Sequence, residues 1–162
     1  MLIRTLSWDE CADVLSTNQT ARLACSKLSE PYVVPITYAF SGSCLYSFSV
    51  LGQKIEWMRG NPLVCVEVYE PAHDQEWKTV VANGKYDEFS DEPYYYEEND
   101  CSWKLLRKRA NWWEPGSLKP ENTMETQPPK YIFYRVRVES MTGRHAVDED
   151  PSDHDGRVRA DD

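Results

Sequence analysis

Short segments in which apolar and polar residues alternate recur along most of this chain, and they limit the possible folds more than any other feature. Ala21, Leu23 and Cys25 alternate with more polar neighbours, and Tyr134 and Val136 do so near the end. A period of two residues is typical of a β-strand with one buried face. The pattern predicts six strands, at 21–26, 32–40, 44–50, 63–69, 77–89 and 131–140.

Three helices are predicted between these strands. Ser7 and Glu10 form a capping-box signature before a helix at 8–17, and two further helices are expected at 53–60 and 93–110. The chain lacks the regular alternation of strands and helices that a doubly wound parallel sheet requires. The predicted fold class is therefore mainly β with inserted helices, arranged as a six-stranded antiparallel barrel.

The length of 162 residues fits one domain, which we place at residues 1–147. From Asp148 onward the chain carries seven acidic and two basic residues and few apolar ones. Such a composition cannot bury enough apolar surface to fold. Residues 148–162 are therefore predicted to be a disordered acidic tail.

The charge and the cysteines restrict the partners and the compartment. A net charge of −9 gives no general footprint for nucleic acid or an anionic membrane surface, so neither partner is expected. There is no apolar run of about 20 residues for a membrane span and no signal-peptide pattern at the start. The five cysteines form no Cys-x-x-Cys pair and are interpreted as reduced thiols. We expect a cytoplasmic protein.

Several catalytic signatures are absent from the sequence. It contains no G-x-G-x-x-G motif, no P-loop and no G-x-S-x-G elbow. The three histidines, His73, His145 and His154, all fall in predicted loops or in the tail, and no metal site is predicted. No catalytic residue can be assigned, so an enzyme of this sequence would rely on a cofactor for its chemistry.

The most informative stretch runs from Pro31 to Pro62. Lys54 lies in the first turn of a predicted helix, and Gly52 directly precedes that helix. The free amide groups of a helix N-terminus together with an ammonium group favour a phosphate monoester. Ser47 and Ser49 on the preceding strand could add hydroxyl donors. The alternative is that Lys54 is a solvated helix residue and that both serines are ordinary strand residues.

Several short pieces, taken in their order and spacing, resemble the pyridoxamine 5'-phosphate oxidase-like superfamily of FMN-binding split barrels. The pieces are Arg22-Leu23-Ala24, Val34-Pro35-Ile36-Thr37-Tyr38, Tyr46-Ser47 leading to Gly52-Gln53-Lys54, Arg59-Gly60-Asn61-Pro62, Trp77-Lys78-Thr79-Val80-Val81 leading to Gly84-Lys85-Tyr86, and Thr142-Gly143-Arg144. The resemblance extends over roughly residues 2–146.

The resemblance implies an FMN-binding split β-barrel that forms a homodimer with its flavin sites at the interface. Lys54 matches the lysine that binds the FMN phosphate, and Gln53 precedes it. The other implied positions are Tyr46 and Ser47 beside the phosphate and ribityl chain, Val34, Pro35, Ile36 and Thr37 along the isoalloxazine ring, and Thr79 near the flavin. With Ser49, these residues make up the predicted cofactor site.

Two departures limit the activity that the resemblance implies. Phe48 stands where relatives similar to nitroimidazole-resistance proteins carry a histidine, and the chain lacks the Arg-x-His pair of the true pyridoxamine-phosphate oxidases. The prediction is therefore an FMN-dependent oxidoreductase that acts on an unspecified small molecule. The alternatives are a non-catalytic flavin- or haem-binding module, and an interaction protein on a barrel that has lost its cofactor.

Overall fold

Eight strands and two helices make up the described part of the chain, which in this computed structural model comprises residues 1–72, 76–89, 104, 106 and 131–147. In chain order they are β1 (Leu2–Leu6), α1 (Trp8–Thr17), β2 (Thr20–Lys27), β3 (Glu30–Thr37), β4 (Ala39–Ser41), β5 (Cys44–Ser49), α2 (Gln53–Gly60), β6 (Leu63–Pro71), β7 (Trp77–Glu88) and β8 (Ile132–Val147). The predicted tail at 148–162 lies outside the described residues. So does the predicted helix at 93–110, except Lys104 and Leu106, which are helical.

All pairings in the sheet are antiparallel, as the sequence predicts. The strand order is β3-β2-β6-β7-β8-β5-β4. In addition, β1 pairs with the C-terminal end of β8, beyond the part that pairs with β5. The long pairing of β7 with β8 contains a bulge at Asn83 and Gly84, which bends both strands. The inner face of the sheet carries the core, so the mainly β, antiparallel class is confirmed.

The count of eight strands corrects the predicted six, and β1 is one of the two additions. Its first four residues are exposed and only Leu6 is buried, so the sequence shows no alternation of buried and exposed positions there. Backbone pairing with β8, from Leu2 opposite Val147 to Leu6 opposite Gly143, forms this strand instead. Since β8 continues to Val147, His145 lies in a strand and not in the predicted loop.

The second addition arises because the predicted strand at 32–40 is divided at Tyr38. The Tyr38 amide donates to the carbonyl of Gln19 at 3.0 Å, and its hydroxyl donates to the carbonyl of Leu15 at 2.8 Å. These contacts turn the chain toward α1 and separate β3 from β4. Pro35 lies in β3, which is a terminal strand of the sheet order, as the missing amide of a proline requires.

Both helices pack against the core through the apolar side chains of one helix face. Cys11, Val14 and Leu15 of α1 are buried, and the predicted capping box of Ser7 and Glu10 is present. On α2, the side chains of Ile55 and Met58 are fully buried. The guanidinium of Arg59 also binds the Glu88 carboxylate of β7 through two bonds, of 2.6 and 2.8 Å. This packing fixes the direction in which α2 begins.

Candidate anion-binding site at the start of α2

The N-terminus of α2 has no side-chain cap. Gly52 is the N-cap residue, and no described side chain accepts a hydrogen bond from the amide groups that follow it. The first intrahelical bond in this turn runs from the Glu56 amide to the Gly52 carbonyl, at 3.1 Å. The amides before Glu56 point out of the helix start, where the helix dipole is positive. This end of α2 can therefore accept an anion.

Lys54 lies in this first turn, and its side chain is half-buried. Burial lowers the pKa of Lys54 below its usual range, while the nearby Cys25 thiol acts weakly in the opposite direction. Within the described ranges, Lys54 forms no ion pair, whereas Arg59 on the same helix binds Glu88. A desolvated ammonium group without a counter-charge is unfavourable, and a bound anion would compensate it.

The two serines predicted to assist Lys54 have different roles in the structure. Ser47 is buried, and its hydroxyl donates to the Thr37 carbonyl at 2.7 Å. This bond connects β5 to the end of β3. The Ser47 hydroxyl proton is therefore not available to donate to a ligand. Ser49 is half-buried two residues further on, on the same face of β5 and just before the loop that leads into α2. Ser49 and Gln53 are therefore close to Lys54 along the chain, on either side of the loop that leads into α2.

The remaining predicted positions on β3 and β5 differ in burial and in the face of the sheet on which they lie. Ile36 and Thr37 are buried, Val34 is half-buried and Pro35 is exposed. The Tyr46 ring faces away from the core and stacks on Phe89, with ring centroids 6.2 Å apart. Tyr46 therefore belongs to the outer surface of β5, whereas Ser47 belongs to the inner one.

Thr79 lies near the start of β7, on a different element from Lys54. Its hydroxyl donates to the Glu67 carboxylate at 3.3 Å and to the Val68 carbonyl at 3.2 Å. Arg59, near the end of α2, binds Glu88, which is nine positions further along the same strand. No hydrogen bond or ion pair among the described residues joins Thr79 to Lys54.

Two polar core groups, one beside Lys54 and one beside Ser47, were not recognised as site residues in the sequence. The Cys25 thiol faces the core beside Lys54, and burial raises its pKa. Tyr134, opposite Ser47 in the sheet, is fully buried, and burial raises its pKa to about 12. Its hydroxyl neighbours Ser47 but makes no hydrogen bond of normal geometry to any described residue. In the sequence, both residues alternate with polar neighbours and look like ordinary core positions.

Two further properties concern only the part of the chain that the structure describes. No helix there is long and apolar enough to cross a membrane. No group of three or more histidine, cysteine, aspartate or glutamate side chains is placed to hold a metal ion.

The described fold is a mainly β, antiparallel one with two inserted helices, and the second helix begins without a side-chain cap beside a half-buried lysine. The family model of pyridoxamine 5'-phosphate oxidase matches residues 7–145, which is most of the chain. The chain belongs to the pyridoxamine 5'-phosphate oxidase-like family.

The chain is also similar to proteins with known sequences or structures. An uncharacterized protein of Rhizobium meliloti is 45% identical over 146 residues, covering 90% of this chain and 97% of the relative. The crystal structure of an FAD-binding protein from Mesorhizobium loti is 44% identical, covers 91% of this chain and all of its own, and superimposes with a TM-score of 0.77. A putative 5-nitroimidazole resistance protein from Bacteroides thetaiotaomicron shares the fold, with a TM-score of 0.66 at 18% identity over 90% of this chain and 89% of its own.

Proposed function

We propose that this protein is a flavoprotein that binds FMN, with its phosphate at the start of α2 beside Lys54, and that it acts as an oxidoreductase. The observation that carries the proposal is the half-buried Lys54 ammonium group, without a counter-charge among the described residues, at a helix N-terminus without a cap. A phosphate monoester carries nearly two negative charges and accepts several hydrogen bonds, which matches what this site lacks.

The residues around the helix start fit such a group. Lys54 supplies the charge, the first amides of α2 supply donors, and the hydroxyl of Ser49 can supply one more. The flavin ring would provide the electron-transfer chemistry. The chain binds and orients the group, with β3 from Val34 to Thr37 as the neighbouring wall.

The relative from Mesorhizobium loti is an FAD-binding protein, so FMN and FAD must be distinguished by experiment. The flavin released from the purified protein by denaturation is identified by chromatography. FMN supports the proposal as stated, and FAD would correct the identity of the cofactor while leaving a flavin phosphate at Lys54.

The phosphate site is tested by titrating flavin-free protein with FMN and with riboflavin, which lacks the phosphate. In Lys54→Ala, loss of a charge-assisted contact of about 1.5–3 kcal/mol should weaken FMN binding roughly ten- to hundredfold. Riboflavin binding should change little. The matched control is Lys27→Ala, since Lys27 is exposed at the end of β2. If Lys54→Ala binds FMN as tightly as the wild type, the phosphate lies elsewhere.

The oxidoreductase part of the proposal is tested on the flavin-loaded protein. NADH or NADPH under anaerobic conditions should bleach the flavin absorbance, and a suitable acceptor should restore it. If the flavin is bound but no donor reduces it, the protein is a non-catalytic flavin-binding module. A haem absorbance band would instead indicate a haem-binding module, and a colourless protein would indicate an interaction protein on a barrel that has lost its cofactor.

We further propose a homodimer in the cytoplasm, with the flavin sites at the interface. The dimer is what the resemblance to the family implies, since the flavin sites of that family lie across a homodimer interface. The described cysteines are free thiols, which suits a reducing compartment.

A further inference from the structure

A second pocket, with a volume of about 470 Å³, lies between α1 and the ends of four strands. Its floor is a row of residues that are paired directly across β6, β7, β8 and β1, namely Glu70, Lys78, His145 and Arg4. Directly paired residues place their side chains on the same side of a sheet. None of the residues predicted to bind flavin lines this pocket.

Both cations of this row are already neutralised by carboxylates. The Arg4 guanidinium binds Glu10 of α1 at 2.7 Å, and the Lys78 ammonium binds Glu70 at 3.2 Å. The Glu70 carboxylate also accepts a bond of 2.7 Å from the side-chain amide of Asn18. These contacts leave neither Arg4 nor Lys78 free for an anionic ligand.

Two other polar groups of the pocket have no partner within the described residues. The Asp13 carboxylate, on the face of α1 that borders the pocket, forms no hydrogen bond or ion pair there. The Nδ1 atom of His145 is buried and has no hydrogen-bond partner. A buried polar atom without a partner usually indicates a missing water or ligand. Leu6 and Val14, whose side chains are largely buried, form the apolar part of the lining.

We propose that this pocket binds a small organic cation, a primary amine or amidine attached to an apolar body. The cationic group pairs with Asp13, whose charge is the one not balanced among the pocket's residues. The apolar body packs on Leu6 and Val14, and a donor of the ligand satisfies His145. The volume lies in the range of small-molecule sites.

The test compares benzylamine, benzyl alcohol and benzoate, which share one ring and differ in charge. Each is titrated into the protein as purified, and binding is followed by calorimetry and by the ligand's NMR signals. Benzylamine should bind saturably and at least tenfold more tightly than the other two. In Asp13→Asn that preference should be lost, whereas Asp9→Asn, on the same helix but outside the pocket, should retain it.

The variants are chosen so that folding does not obscure the result, since Asp9 and Asp13 are both exposed on α1. The proposal is overturned if benzylamine shows no saturable binding up to millimolar concentrations or if benzoate binds equally well. It is also overturned if Asp13→Asn has no effect or if Asp9→Asn has the same effect. Displacement of bound flavin by benzylamine would place the amine at the other site and would overturn it too.

Discussion

The ammonium group of Lys54 is half-buried in the flavin-free protein, and its charge therefore opposes folding. Burial holds the pKa of Lys54 below that of the unfolded chain, so the unfolded state binds more protons between those two pKa values. Stability then rises with pH through this window, because the unfavourable charge disappears. The destabilisation by the buried Lys54 charge is fully present below the lowered pKa and absent above the unfolded value of 10.5.

The consequence is a prediction for Lys54→Met in flavin-free protein. At pH 7 the free energy of unfolding should equal or exceed that of the wild type, because the variant removes a desolvated charge but keeps an apolar stem. The difference should shrink as the pH rises through the lowered pKa of Lys54 toward the unfolded value of 10.5. Urea titrations at pH 7 and pH 9 measure this, and a variant clearly less stable than wild type at pH 7 would contradict it.

The hydroxyl groups of Ser47 and Tyr134 are both buried, but the structure predicts opposite effects when each is removed. Ser47→Ala leaves the buried Thr37 carbonyl without its donor, which should cost about 1–3 kcal/mol of unfolding free energy. Tyr134→Phe removes a hydroxyl that makes no regular hydrogen bond within the described ranges, so stability should stay within about 0.5 kcal/mol or rise. Chemical denaturation of both variants measures the two changes in the free energy of unfolding. An equal loss in both would mean that the Tyr134 hydroxyl has a partner.

At the scale of elements, the bulge between β7 and β8 has the tightest steric requirement. Gly84 allows the two backbones to approach closely there: a Cβ atom would collide with the Arg137 carbonyl oxygen and lie 3.0 Å from a methyl carbon of Val136. Gly84→Ala should therefore destabilise the protein by roughly 1–3 kcal/mol. Gly60→Ala is the control, since nothing lies within 4 Å of its added methyl group. Equal thermal stability of the two variants would contradict the assigned register.

The elements that could be predicted from the sequence are those defined by local signals. The capping box placed α1, and the break at Gly52 placed α2, so both helices were predicted with the correct bounds. The missed features depend on distant contacts: β1 is formed by pairing with β8, and Tyr38 divides a strand by bonding to α1. Likewise, the sequence identified Lys54 at the helix start but could not show that Ser47 faces inward and is already bonded.

At the scale of the whole molecule, the proposed homodimer can be tested through two predicted flavin residues that lie on different elements. Lys54 lies in the first turn of α2, and Thr79 lies near the start of β7. In this proposal, each flavin site takes Lys54 from one chain and Thr79 from the other. A symmetric dimer then contains two equivalent sites, each built from both chains.

This arrangement predicts complementation between two defective variants. Lys54→Ala and Thr79→Gln should each bind FMN weakly as homodimers, since each lacks one contact in both sites. When the two are unfolded together and refolded, a mixed dimer has one site with both defects and one site with neither. With random pairing of equal amounts, about a quarter of all sites should regain wild-type affinity. Fluorescence titration of the mixture measures this fraction, with separately refolded variants as the control. Normal FMN binding by Thr79→Gln alone would remove Thr79 from the site, and a mixture that regains no tight sites would contradict the shared interface.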